Sequence, residues 1–97
     1  DIAIALDANN ALLYNNRAFT HVALKNYPQA IADYNRAIDY DTDNALLYQN
    51  RGLAKMNIGE YAGALHDYEQ ASALDNSLAG IERNLRDARA ALRWQNA

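Results

Sequence analysis

The stretch Ala11-Leu12-Leu13-Tyr14-Asn15-Asn16-Arg17 returns 34 residues later as Ala45-Leu46-Leu47-Tyr48-Gln49-Asn50-Arg51, and that return decides the fold. Aligned without a gap, Ala11–Asn44 and Ala45–Leu78 agree at 12 of 34 positions. Ordinary composition would give roughly two by chance. Beyond the opening stretch the identities are Tyr27/Tyr61, Ala30/Ala64, Asp33/Asp67, Tyr34/Tyr68, Ala37/Ala71 and Asp41/Asp75. The period also runs backwards, because Ala3-Ile4 and Asp7 match Ala37-Ile38 and Asp41. Residues 1–10 therefore read as the end of a truncated preceding repeat, followed by repeats at 11–44 and 45–78.

Each repeat reads as two helices. Leu13, Tyr14, Ala18, Phe19, Val22 and Leu24 fall at helical spacings, and so do Leu47, Tyr48, Gly52, Leu53, Met56 and Ile58. Asn26-Tyr27-Pro28 interrupts the first pattern, and Pro28 suits the first turn of a new helix, where its missing N–H costs nothing. Gly59-Glu60-Tyr61 stands at the same place in the second copy, with Gly as a helix stop. The second halves carry Ala30, Ile31, Tyr34, Ala37, Ile38 and Ala64, Leu65, Tyr68, Ala71, Leu74 on one stripe. Small alanines at the close approaches let antiparallel helices pack tightly. Asp41–Asn44 and Asp75–Ser77 are polar connectors rich in capping residues.

After Leu78 the repetition fades. Ile81, Leu85, Ala88 and Leu92 keep an apolar stripe, while Glu82, Arg83, Arg86, Asp87 and Arg93 fill the other faces. This pattern predicts a capping helix within 79–97, covering the last repeat on one side and soluble on the other, with Glu82–Arg86 as an intrahelical pair. Composition agrees with an all-α domain: the 97 residues hold one Pro, four Gly and no Cys, with a net charge of −3. Disulfides and thiolate chemistry are excluded, and a net acidic chain argues against nucleic acid as a partner.

In its Tyr14…Ala18…Ala30…Tyr34…Ala37 and Tyr48…Gly52…Ala64…Tyr68…Ala71 series the chain resembles a tetratricopeptide repeat (TPR) array. Its departures, Arg17/Arg51, His21/Lys55 and Thr42/Asn76, recur together, as in an Asn-Arg-Ala/Gly subtype. The resemblance implies a right-handed α-solenoid of antiparallel helix pairs whose first helices line a concave groove for a partner's peptide or helix. Carried over by position, the groove consists of Leu12, Asn15, Asn16, Phe19, Val22 and Ala23 on one helix. Leu46, Gln49, Asn50, Leu53, Met56 and Asn57 supply the next. Apolar side chains alternate there with carboxamides, which both donate and accept and so can hold a backbone without charge. Chaperone-binding members of the family add a carboxylate clamp. Its Asn matches Asn16 and Asn50, but Asn15 and Gly80 stand at its lysines, Phe19 at its further Asn and Asn84 at its Arg. The resemblance thus implies peptide binding without that clamp.

Catalytic and metal chemistry find no template. Asp39-x-Asp41-x-Asp43 opens like a calcium loop, but Asn44 and Asn50 occupy the places of the essential Gly and Glu. His21 and His66 have no second ligand at i+4, and Ser72 and Ser77 have no partnered base. The chain is accordingly expected to be no enzyme and to need no cofactor. The repeated Arg17/Arg51 and Asp33/Asp67 or Asp41/Asp75 suggest structural ion pairs, and the paired tyrosines suggest core. Two competing readings stand beside partner binding: an assembly element that oligomerises through the solenoid ends, and a helical repeat that holds RNA. The N-terminal end, where Ile2, Ile4, Leu6 and one side of the 13–24 helix lack a covering helix, is the place expected either to self-associate or to fray first. No membrane insertion is expected, since no apolar run approaches the ~20 residues of a span.

Overall fold

The computed structural model describes residues 2–96, with side chains from Leu6 onward. Five helices follow one another: α1 (Ile2–Ala23), α2 (Tyr27–Tyr40), α3 (Ala45–Asn57), α4 (Tyr61–Leu74) and α5 (Ile81–Gln95). Each packs on the next, and α3 also meets α5. The stack is an all-α solenoid measuring 50 × 29 × 18 Å.

Alanine and tyrosine set the packing. Ala18, Ala30, Tyr34 and Ala54 form one buried cluster, and Ala64, Tyr68, Ala71, Ile81, Leu85 and Ala88 belong to the next. Ala54 of α3 joins the cluster of Ala18, Ala30 and Tyr34, and Ala11, Leu12 and Asn15 of α1 line one cavity with Leu47 of α3, so the first helices lie side by side. Gly52 shows how close this packing is: a Cβ there would lie 2.6 Å from Cε1 of the Tyr68 ring. Of the tyrosines expected inside, Tyr34 and Tyr68 are fully buried, while Tyr14, Tyr27, Tyr48 and Tyr61 are half-buried. Tyr40 is exposed and stacks on Tyr14, with ring centroids 6.0 Å apart.

The turns follow the repeat even where the residues do not. Gly59 ends α3 at φ 80°, and its equivalent Lys25 ends α1 at φ 62°. Both turns are closed by the same bonds, Asn26 N–H to His21 O (2.8 Å) and Glu60 N–H to Lys55 O (2.9 Å). Pro28 sits in the first turn of α2, as expected. Asn44 caps α3 by accepting from Leu46 N–H at 3.1 Å.

The N-terminal segment differs from expectation. No turn separates residues 2–7 from the helix after Asn10; Ile2–Ala23 is one helix of 22 residues. The equivalent Asp41–Asn44 turn is held by packing between α2 and α3 and by two local hydrogen bonds. Leu47 is buried with Ile38 beneath α2, Tyr48 Oη donates to Thr42 O at 2.9 Å, and Asn44 Nδ2 donates to Asp41 at 3.1 Å. Asp7 and Asn10 repeat Asp41 and Asn44, and Ala8 offers the same backbone carbonyl as Thr42, but Tyr14 is engaged with Tyr40 instead. A helix satisfies its own backbone groups, so it continues where packing does not impose a turn. Leu13 is 59% exposed, whereas its equivalent Leu47 is 2% exposed. The side chains of Ile2 and Ile4 lie outside the described residues.

The C-terminal helix buries Ile81, Leu85 and Ala88 and leaves Arg86, Arg89, Arg93 and Trp94 exposed. Its intrahelical ion pair is Arg83–Asp87 at 4.0 Å rather than Glu82–Arg86. Both spacings are i, i+4, so spacing alone does not choose between them.

Candidate partner-binding groove

Two ion-paired carboxylates fix the layer of first helices. Asp33, 4% exposed, accepts from Arg17 Nε at 2.8 Å and from its Nη2 at 2.7 Å. Asp67, 1% exposed, accepts from Arg51 Nε at 2.9 Å and Nη2 at 2.7 Å, with Lys55 Nζ at 3.1 Å. The fork of a guanidinium matches a carboxylate edge on, so each pair locks a first helix against its own second helix. Arg51 also donates to Asn35 Oδ1 at 2.8 Å, tying α3 back to α2. The Arg17 hydrogen bonds hold the Asp33 carboxyl below the usual carboxylate range despite its burial, and Asp33 in turn raises Arg17. His21 stands where Lys55 stands, but its Nε2 is 3.7 Å from Asp33 and its buried Nδ1 has no partner. Two of the three departures from the family pattern, Arg17/Arg51 and His21/Lys55, thus belong to one structural arrangement around a buried aspartate.

The expected groove residues separate into two sets. Leu12, Phe19, Leu46 and Leu53 are 42–64% exposed, and Asn16 is exposed between them. Asn50 is half-buried at the same register. Gln49 is withdrawn: it is buried, and its Nε2 donates to Ala79 O at 2.9 Å and Asn84 Oδ1 at 2.7 Å. Asn15, one methylene shorter, leaves its buried Oδ1 without a partner. Val22 and Met56 are half-buried against the two core clusters. Ala23 and Asn57 are exposed, with Asn57 donating to Leu53 O at 2.8 Å.

Asn84, which stands at the place of the family clamp's Arg, extends the asparagine series of the groove. It lies 34 residues after Asn50, as Asn50 does after Asn16, so α1, α3 and α5 each carry one Asn at this register. The arrangement offers neutral donors and acceptors between exposed apolar side chains. Among the described residues no three His, Asp or Glu side chains converge as a metal site, and no helix is long and apolar enough to cross a membrane.

Stacked helix pairs with an aligned layer of first helices define a helical-repeat protein. Two family descriptions match the sequence, "TPR repeat" over residues 20–59 and "Tetratricopeptide repeat" over 45–78. The second TPR of Spaghetti (RPAP3), solved with the HSP90 peptide SRMEEVD, superposes with a TM-score of 0.91 at 31% identity. That match covers 99% of this chain and 88% of the other. The second TPR domain of human RPAP3, in complex with the HSP70 peptide SGPTIEEVD, gives a TM-score of 0.81 and 31% identity, covering 96% and 75%. The TPR2B domain of yeast Sti1, in a complex with an Hsp70 peptide, gives 0.77 and 30%, covering 84% and 70%. Comparison with curated protein sequences gives no significant match. The chain belongs to the tetratricopeptide repeat family.

Proposed function

We propose that this chain is a protein-interaction module, not an enzyme, and that it holds a peptide or helix of a partner protein along the face shared by α1, α3 and α5. The observation that carries this reading is the Asn16, Asn50, Asn84 series set among exposed Leu12, Phe19, Leu46 and Leu53. Solved relatives at 30–31% identity are complexes with HSP90 or HSP70 peptides, which supports a peptide ligand. The chemistry of the ligand differs, because the clamp lysines are absent at Asn15 and Gly80. A partner's buried carboxylate would meet no free cation there and would be costly to desolvate. Leu12, Phe19, Leu46 and Leu53 serve as the apolar bed, while Asn16 and Asn50 hold the partner's backbone. Within the family we place the chain in the Asn-Arg-Ala/Gly subtype, on Asn16-Arg17-Ala18 and Asn50-Arg51-Gly52, with repeats at 11–44 and 45–78, a preceding fragment at 1–10 and a cap at 79–97.

Replacing Asn16 and Asn50 together by Ala tests the reading. Each lost hydrogen bond should cost about 0.5–1.5 kcal/mol of binding, with helicity and melting nearly unchanged. Calorimetry against a captured partner that shows full affinity in the double variant would remove these residues from the site. A second reading, assembly through the N-terminal end, is favoured by the exposed Leu13.

A further inference from the structure

Two cavities occupy the same place in successive repeats. The smaller, about 200 Å3, is lined by Leu12, Asn15, Asp41, Asn44 and Leu47 among others. The larger, about 560 Å3, is lined by Leu46, Leu74 and Leu78 with Asp41, Asp43 and Asp75. A shift of 34 residues converts Leu12 into Leu46 and Asp41 into Asp75, so each cavity joins a groove leucine to the aspartate of the next connector. Neutral donors hold these aspartates in place: Asn44 Nδ2 bonds Asp41 at 3.1 Å, and Ser77 N–H and Oγ bond Asp75 at 3.0 and 2.6 Å. The Ser77 bonds also keep the Asp75 carboxyl below its ordinary range, so it is ionised at neutral pH. Among the described residues neither Asp41, Asp43 nor Asp75 joins an ion pair, while Arg17, Arg51 and Lys55 are committed to Asp33 and Asp67. The apolar bed is therefore bordered at each junction by negative charge that the chain itself does not neutralise.

We propose that each junction cavity receives a lysine or arginine side chain of a partner protein lying along the groove, with its methylenes against Leu12 or Leu46 and its charged head at Asp41 or Asp75. Long basic side chains suit such a place because the stem is apolar and only the tip is charged. The cavities repeat with the solenoid, so a partner following the groove would present two basic residues to them in turn. This inference rests on the groove reading and adds the partner's charge to it. It sets the chain apart from relatives solved with peptides ending in Glu-Glu-Val-Asp.

A library of random dodecapeptides displayed on phage and selected on the purified chain supplies the probe. Selected peptides should combine apolar residues with Lys or Arg, and a synthetic SRMEEVD peptide should not compete with them. In binding to a synthetic copy of the best binder, Asp41→Asn and Asp75→Asn should each cost up to about fivefold, the upper end for an exposed ion pair. Replacing the peptide's Lys by norleucine should abolish that difference and the salt dependence. Selection of uncharged apolar or acidic peptides that Asn16→Ala with Asn50→Ala releases would overturn this inference and leave the groove standing. Basic peptides that ignore the Asn double variant but respond to Asp41→Asn would remove the groove and keep the cavities. Equal affinity in both Asp→Asn variants, each folded by circular dichroism, would sink the inference. So would the absence of any selected peptide, which would take the groove reading with it.

Discussion

A carboxylate as buried as Asp67 is stable only if its charge is met, and two cations meet it, Arg51 edge on and Lys55 from the side. Asp33 has a single close cation, Arg17, with His21 more distant. Because Asp33 titrates lower in the folded chain than an ordinary Asp, its pair stabilises fully above the usual carboxylate range. That contribution disappears as pH falls through the lower folded value. Arg51→Met keeps the aliphatic stem but leaves Asp67 with Lys55 alone. It should cost about 1.5–3 kcal/mol of stability, the range for hydrogen bonds to charged groups. Urea denaturation checks this, and groove affinity measured on the still-folded variant should hardly move. Normal stability with lost binding would make Arg51 a ligand contact instead. The recurrence of Arg and Asp with one period narrowed the partners to two repeated aspartates, and the structure selects Asp33 and Asp67 over Asp41 and Asp75. The partner of Gln49 was not legible in the sequence, since Ala79 O and Asn84 lie across a connector and Asn15 does not repeat the contact.

Among the elements, the α1–α2 and α3–α4 turns share one backbone path and differ in the residue that takes its left-handed position. Lys25 holds φ 62° where the second repeat has Gly59. Side chains with a Cβ pay roughly 1–2 kcal/mol for that conformation, partly offset by the larger freedom glycine loses on folding. Lys25→Gly should therefore stabilise the chain by about 0.5–1 kcal/mol, read as a higher urea midpoint at unchanged slope. A lower midpoint would show that the lysine side chain contributes more than the strain removes. Helix order and the places of α2 to α5 could be read from apolar period, Pro28 and Gly59. The continuity of α1 through Asp7–Asn10 could not. The Asp41–Asn44 turn depends on α2 covering Leu47 and on Tyr48 reaching Thr42, and local sequence does not encode whether such contacts exist.

At the scale of the whole molecule the two ends of the solenoid are unlike. At one end α5 buries Ile81, Leu85 and Ala88 and turns arginines outward. At the other, α1 outreaches its partner: 22 residues extend about 33 Å, while the 14 residues of α2 extend about 21 Å. The overhang carries exposed Leu6, and Leu13 is also bare along α1. Apolar patches of a few hundred Å2 mark interaction surfaces, and an unsupported stretch of under about ten residues is not helical by itself. The 97-residue chain should thus either self-associate through α1 or lose its amide protection there before anywhere else. Light scattering over a hundredfold range of concentration reads the first outcome, and hydrogen exchange across residues 2–20 reads the second. Leu13→Glu should abolish association without loosening α3 to α5, because Leu47, not Leu13, is the leucine that lies in the core. A chain that stays monomeric throughout and protects residues 2–10 as strongly as α3 would show that α1 needs no cover at all.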